Sequence, residues 1–331
     1  MSARLALETS AARLVGRLSR ATRRGGGTTL PGKLVWKLDP DALDALAARL
    51  PAGLALVSAT NGKTTTTAMK GGVAVAVELV RDLATAEPGP VDVGLLLFGR
   101  EELPPANNPL PALFDGCPLV REAELAVLLE PTDLSIQAGS VGNISARITF
   151  HGVSGHSARP WLAENAIHAA VEGLARIATF ERREALISGL PFYEVVSVTR
   201  IHGGVADNVV PDQAVATVNL RYPPDRTPEE AEGLVRSLVP TDTTVEIVGN
   251  SPPGGVCVDA PLARALQAAG GLEIEPKQAW TNVADFTARG IPAVNFGPGS
   301  THHAHRRDEL VEVASLERAY DALRRVALGV V

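Results

Sequence analysis

Leu125-Ala126-Val127-Leu128-Leu129-Glu130-Pro131-Thr132-Asp133 runs five apolar residues straight into a carboxylate and a proline. A short continuous apolar run closed by a turn reads as a strand buried on both faces, and such strands belong to sheets covered by helices. Val91 to Phe98 repeats the pattern and ends just before the adjacent carboxylates Glu101 and Glu102. Ala293 to Phe296 repeats it again and leads through a glycine-rich turn to His305. Layered α/β folds carry their sites at strand ends, so Glu101, Glu102, Glu130 and His305 are candidates to meet at one place.

The chain has 331 residues, 45% of them hydrophobic, which is enough for two folded units and an N-terminal appendage. A formal charge of -6 argues against a nucleic-acid partner, because phosphate neutralisation needs concentrated Lys and Arg. The basic segment of residues 1 to 37 is the local exception and reads as a solvated helix face. Cys117 and Cys257 are too few for a disulfide framework. No apolar run reaches the ~18 to 20 residues that cross a bilayer, and the N-terminus lacks a secretory apolar core. The expectation is a cytoplasmic, soluble protein with no membrane partner.

Between residues 141 and 250 the texture changes. Ile144 to Phe150, Tyr193 to Ile201 and Ala214 to Tyr222 read as antiparallel strands. One connecting helix carries Ile167, Val171, Leu174 and Ile177; another starts near Pro228 with Ala231, Leu234 and Leu238. This βαββαβ pattern reads as a unit inserted into the α/β domain, serving as a lid or dimerisation surface. The chain closes on a helix bearing Leu316, Tyr320, Leu323 and Ala327.

Two neighbouring carboxylates can divide labour, one binding a cation while the other takes a proton from water. Carboxylate and imidazole donors without thiolates suit a catalytic divalent ion. With Met69-Lys70-Gly71-Gly72, Gly155-His156-Ser157-Ala158-Arg159-Pro160, Asn208-Val209-Val210-Pro211, Asn219-Leu220-Arg221 and Thr281-Asn282-Val283-Ala284-Asp285-Phe286 in order, residues 69–331 resemble the zinc-dependent desuccinylase and aminoacylase family of metallopeptidases, its succinyl-diaminopimelate desuccinylase branch most closely. The resemblance implies an α/β catalytic domain of zinc-exopeptidase type in two parts, 69–140 and 251–331, with an α+β lid, 141–250, that forms a homodimer. It implies Glu101 as general base, Glu102 and His305 on one zinc (or cobalt or another divalent metal), and Glu130 on a second. His156 would stabilise the oxyanion, often from the partner subunit, while Asn208 and Arg221 would grip a substrate carboxylate. The substrate class is a small N-acyl amino acid.

The family supplies two further ligands, a histidine in His-X-Asp and an aspartate just before the methionine. Here the latter position is Ala68, and residues 1 to 150 contain no histidine. Metal occupancy and activity are therefore expected to be reduced. Residues 1–68 instead resemble the start of a Mur ligase-like ATPase, through Arg23 to Thr28, Leu38 to Leu43 and Val57 to Thr67. Asn61, Gly62, Lys63 and Thr64 have the chemistry of a phosphate loop, in which backbone N–H groups and a lysine cradle phosphates. Two alternatives to the hydrolase follow: an ATP-binding ligase fragment, and a catalytically inactive dimeric scaffold.

Overall fold

The computed structural model describes residues 54–60, 67–99, 108–303 and 310–330. The basic segment of residues 1 to 37, with its expected helix face, lies outside the described residues.

The first part of the chain forms β1 (Leu54–Thr60), α1 (Thr67–Leu83), β2 (Val93–Gly99), the short helices α2 (Leu110–Gly116) and α3 (Pro118–Arg121), β3 (Leu125–Leu128) and β4 (Ile136–Ala138). An inserted unit follows, with β5 (Gly142–His151), β6 (Gly155–His156), α4 (Ala166–Gly173), α5 (Ala175–Ala178), β7 (Arg183–Ile187), β8 (Leu190–Gly203), β9 (Val209–Val210), β10 (Gln213–Tyr222), α6 (Pro228–Ser237) and β11 (Thr244–Ser251). The chain then returns through α7 (Pro261–Gly270), β12 (Ile274–Pro276), α8 (Val283–Thr287), β13 (Ala293–Asn295) and α9 (Val313–Leu328).

Six strands of the two flanking parts make one sheet in the order β12-β4-β13-β3-β1-β2. Strands β13, β3, β1 and β2 are parallel neighbours, while β4 runs against β13. The sheet is covered on both faces. On one side Val75, Ala76 and Leu79 of α1, Leu266 of α7 and Leu323 of α9 pack on Val127, Ile136 and Phe296. On the other, Phe114 of α2 and Phe286 of α8 meet edge to face at 4.9 Å over Ala126, Leu128 and Ala293. Asp82 of α1 fastens the terminal helix by accepting from Tyr320 Oη at 2.8 Å and from Arg324 Nε at 2.5 Å.

β3 is the fully buried strand its composition implies. β2 is not: it is the last strand of the sheet among the described residues, and Leu97 stays 45% exposed. An apolar run reports hydrophobic content, and only pairing on both sides turns that content into burial on both faces.

The inserted unit is a five-stranded antiparallel sheet, β11-β5-β10-β8-β7, with α4, α5 and α6 on one face. The expected βαββαβ order is present, with β7 added at the edge. Its core centres on Ile144, Ile148, Phe150, Leu220 and Tyr222. α6 starts with a capping box in which Thr227 and Glu230 bond each other's backbone N–H, the arrangement that satisfies otherwise orphaned donors. The single helix expected through Ile177 breaks at Leu174 into α4 and α5, and Val171 points outward at 66% exposure. Ser140 and Gly254, bridged through both backbone groups, form the double crossing between the two units. Gln278 adds a third tie, accepting from Tyr193 N at 3.2 Å and donating to Pro191 O at 2.8 Å.

Candidate active site

The parallel pairing decides where the candidate residues begin. Thr60 pairs with Gly99, and Leu128 pairs with Asn295. These strand ends therefore share one edge. From that edge leave the segment carrying Glu101 and Glu102 after β2, Glu130 after β3, and the segment carrying His305 after β13. Glu101, Glu102 and His305 themselves lie outside the described residues, as do Asn61, Gly62, Lys63 and Thr64, whose segment leaves the same edge after β1.

Glu130 is half-buried, and its loop is closely braced. Thr132, 1% exposed, donates from Oγ1 to Ser135 O at 2.7 Å and accepts the Gly297 N–H at 3.1 Å. Asp133 and Leu134 both sit in the left-handed region, at φ 52° and 64°. Their N–H groups donate to Gly299 O at 2.9 Å and Gly297 O at 3.4 Å, so tertiary bonds offset a conformation that L residues seldom adopt. α1 presses on the same place: a Cβ at Gly72 would stand 2.7 Å from Leu129 O.

Lys277, which sequence reasoning did not single out, is a buried cation beside this loop. It is 6% exposed, and Nζ donates to Gln137 Oε1 at 2.8 Å. Burial pushes its pKa below the ordinary lysine value, and the charge of Glu130 opposes that shift. Its sequence surroundings, with Glu273, Glu275 and Gln278 beside it, look like a solvated turn and gave no signal of burial. Asn295, fully buried, donates to Gln137 O at 2.9 Å and leaves its own Oδ1 without a partner among the described residues.

In the inserted unit the structure brings His156 and Asn208 together and sets Arg221 apart. His156 pairs with Val209 on the β6–β9 ribbon, and Ser157 N donates to Asn208 O at 3.0 Å. His156 Nδ1 accepts the Ala158 N–H at 3.1 Å, which leaves Nε2 to carry the proton. Arg221 lies at the other end of β10, half-buried, with Nε donating to Asn219 Oδ1 at 3.0 Å. Desolvation lowers its pKa. Gln213 and Arg221 are eight strand positions apart, on the order of 26 Å at ~3.3 Å per residue, and Asn208 lies beyond Gln213. One protomer therefore does not close Asn208 and Arg221 around one carboxylate.

A curated relative bears directly on this arrangement. The Mycobacterium tuberculosis protein named as succinyl-diaminopimelate desuccinylase DapE is 39% identical over 269 residues, spanning 79% of this chain and 73% of its own length. The chain belongs to the M20 peptidase family. The succinyl-diaminopimelate desuccinylase of Corynebacterium glutamicum is 36% identical over 266 residues, covering 76% of this M20 chain and 71% of its own. Residues 138–243 match the peptidase dimerisation domain, in agreement with the inserted unit. Two solved structures share the fold: aminopeptidase PepT from Bacillus cereus, with a TM-score of 0.63 at 16% identity over 85% of this chain and 81% of that one, and the M20 family metallo-carboxypeptidase Sso-CP2 from Sulfolobus solfataricus, with 0.62 at 14% over 85% of each. By family this is a hydrolase of amide bonds, and M20 metallopeptidases use divalent metals, usually zinc.

How the residues of this M20 chain suit a metal is a question of donor chemistry. Among the described residues no three His, Cys, Asp or Glu side chains cluster as a ligand set. Carboxylates and an imidazole in the segments leaving the shared edge fit one divalent ion. A bridged pair fits less well, because Ala68, in the first turn of α1, offers no donor atom where the resemblance places an aspartate. Among the described residues no helix is long and apolar enough to cross a membrane.

Proposed function

We propose that this chain is a desuccinylase-type hydrolase that cleaves an N-succinyl or other N-acyl amide of a small amino acid to a carboxylate and a free amine. The observation that carries the reading is the common edge of β13, β3, β1 and β2, from which the segments of Glu101, Glu102, Glu130 and His305 all depart. Glu102 and His305 would hold one divalent ion, zinc or cobalt, which when bound supplies Lewis acidity to the amide carbonyl. Glu101 would take the proton of the attacking water and return it to the leaving amine. His156, through Nε2–H, would donate to the oxyanion where negative charge develops. Arg221 would orient the substrate carboxylate through its guanidinium fork.

The distance between the β6–β9 ribbon and Arg221 supports a homodimer in which His156 and Asn208 serve the partner's site. Trp161, Leu162 and Val205 are 75%, 68% and 88% exposed close to that ribbon, and they suit such a contact. The site-residue roles and the domain division at 69–140, 141–250 and 251–331 belong to this proposal. Turnover is reduced because the bridging carboxylate is replaced by Ala68.

Zinc per chain, measured together with hydrolysis of N-succinyl-diaminopimelate, tests it. About one tightly held zinc and slow, metal-dependent hydrolysis are expected. Two zincs with full turnover would refute the impairment, and no hydrolysis of any N-acyl amino acid would refute the enzyme.

A second reading, an ATP-binding Mur ligase-like fragment, gains from one observation: residues 61–66 follow a parallel strand, β1, and precede a helix, α1, the context a phosphate loop requires. Magnesium-ATP titration of the wild type and of Lys63→Ala decides it, since absence of binding ends the idea. An inactive dimeric scaffold, the remaining alternative, would give a dimer in light scattering and no hydrolysis.

A further inference from the structure

Thr132 ties together the two loops from which the candidate metal site is built. Among the described residues its hydroxyl is the one side-chain group hydrogen-bonded across both loops: it accepts the Gly297 N–H at 3.1 Å and donates to Ser135 O at 2.7 Å. Ser135 Oγ reaches back to Thr132 O at 2.7 Å, closing the turn that follows Glu130. Backbone bonds from Asp133 to Gly299 and from Leu134 to Gly297 lie alongside, and they require left-handed φ values at two non-glycine residues. Such a conformation persists only where its surroundings hold it. Gly297 is correspondingly tight, since a Cβ there would stand 2.6 Å from Glu130 O.

We propose that Thr132 is a positioning residue of the hydrolytic site, setting the approach between the Glu130 loop and the loop that runs on toward His305. The inference rests on the proposed function, in which His305 holds the metal, and adds Glu130 as a ligand of the same centre. A carboxylate on one loop and an imidazole on the next can serve a single site only if the loops keep a constant separation. Here that separation is registered by two backbone bonds and by one side-chain hydroxyl, 1% exposed and therefore not replaceable by bulk water. Groups that orient ligands without touching the metal affect its affinity strongly.

The test compares Thr132→Val, which keeps the shape and removes the hydroxyl, with Thr132→Ser, which keeps the hydroxyl. Ser140→Ala serves as the control, because it removes another fully buried hydroxyl, the acceptor of the Gly254 N–H at 3.0 Å in the crossing between units. Cobalt(II) affinity by competition titration and amide exchange at Asp133, Leu134 and Gly297 are read on each full-length variant. Thr132→Val should lose roughly 10- to 100-fold in cobalt affinity and exchange faster at those amides. Thr132→Ser should restore both, and Ser140→Ala should alter neither, even where its melting temperature falls as far. Unchanged cobalt affinity in Thr132→Val, or an equal loss in Ser140→Ala, overturns the positioning role while leaving the hydrolase reading intact. A wild type that takes up no cobalt overturns the hydrolase reading, and the positioning role with it.

Discussion

Glu194 and Arg226 form a two-bonded ion pair inside the inserted unit, Nε to Oε2 at 2.6 Å and Nη2 to Oε1 at 3.0 Å, although they are 32 residues apart. The Glu194 side chain is 2% exposed, and Arg183 Nε adds a third bond at 3.0 Å. Two guanidinium groups thus neutralise one buried carboxylate and bind β7, β8 and the loop before α6 into one piece. Removing the carboxylate leaves two partly buried cations facing each other, and breaking such a group costs about 3 kcal/mol. Glu194→Gln should lower unfolding stability by about that amount in urea. A loss under about 1 kcal/mol would show the pair to be merely superficial.

Arg183 also holds Asp225, through two bonds of 2.8 and 2.9 Å. Hydrogen bonding from Arg183 keeps the Asp225 carboxyl below the usual aspartate value, against a smaller opposing effect of burial. Because the folded-state pKa is depressed, the stabilisation is present above the unfolded pKa and disappears as pH falls through the folded value. Melting temperatures of wild type and Asp225→Asn should therefore differ near about pH 6 and converge below about pH 3. A gap that is constant with pH would mean that the carboxylate charge plays no part.

Gly72 marks where α1 rests on the Glu130 strand. An added methyl would meet Leu129 O at 2.7 Å and Leu129 Cβ at 2.9 Å, neither of which is a flexible side-chain end. Gly72→Ala should destabilise by about 2 kcal/mol, as overpacking does, despite alanine's better helix propensity. Stabilisation by the same change would show that the helix can slide away freely.

Ala68 offers the most direct gain-of-function test. It lies in the first turn of α1, which carries no acidic residue. A carboxylate there would favour the positive end of the helix and add a donor near the shared strand edge. Ala68→Asp is expected to raise zinc stoichiometry and to increase hydrolysis by at least about tenfold. Equal zinc content in both proteins would separate this position from the metal site.

The strand ends were legible because β3 and β13 are short apolar runs followed by sharp polar turns, and the order of Glu130, Arg221 and the Thr281 to Phe286 segment carries the family. The terminal helix and α6 were equally plain from spacing. β4, β7 and β12 were not read: they span three, five and three residues, too short for a period to show. The place of β1 inside the catalytic sheet, between β3 and β2, was not read either. β1 takes that place through its backbone, which completes parallel ladders with β2 on one side and β3 on the other.

What the residues dictated in advance was chemistry and content: carboxylates after apolar runs, a late group of histidines, an alanine at position 68, and enough apolar sequence for two cores. Folding in three dimensions decided adjacency. Strand order placed four segment origins on one edge, Thr132 joined loops 165 residues apart, and the length of β10 parted Asn208 from Arg221. Side-chain chemistry is local and can be read one residue at a time, whereas distances between remote residues are set by pairing and packing, which no single stretch of chain contains.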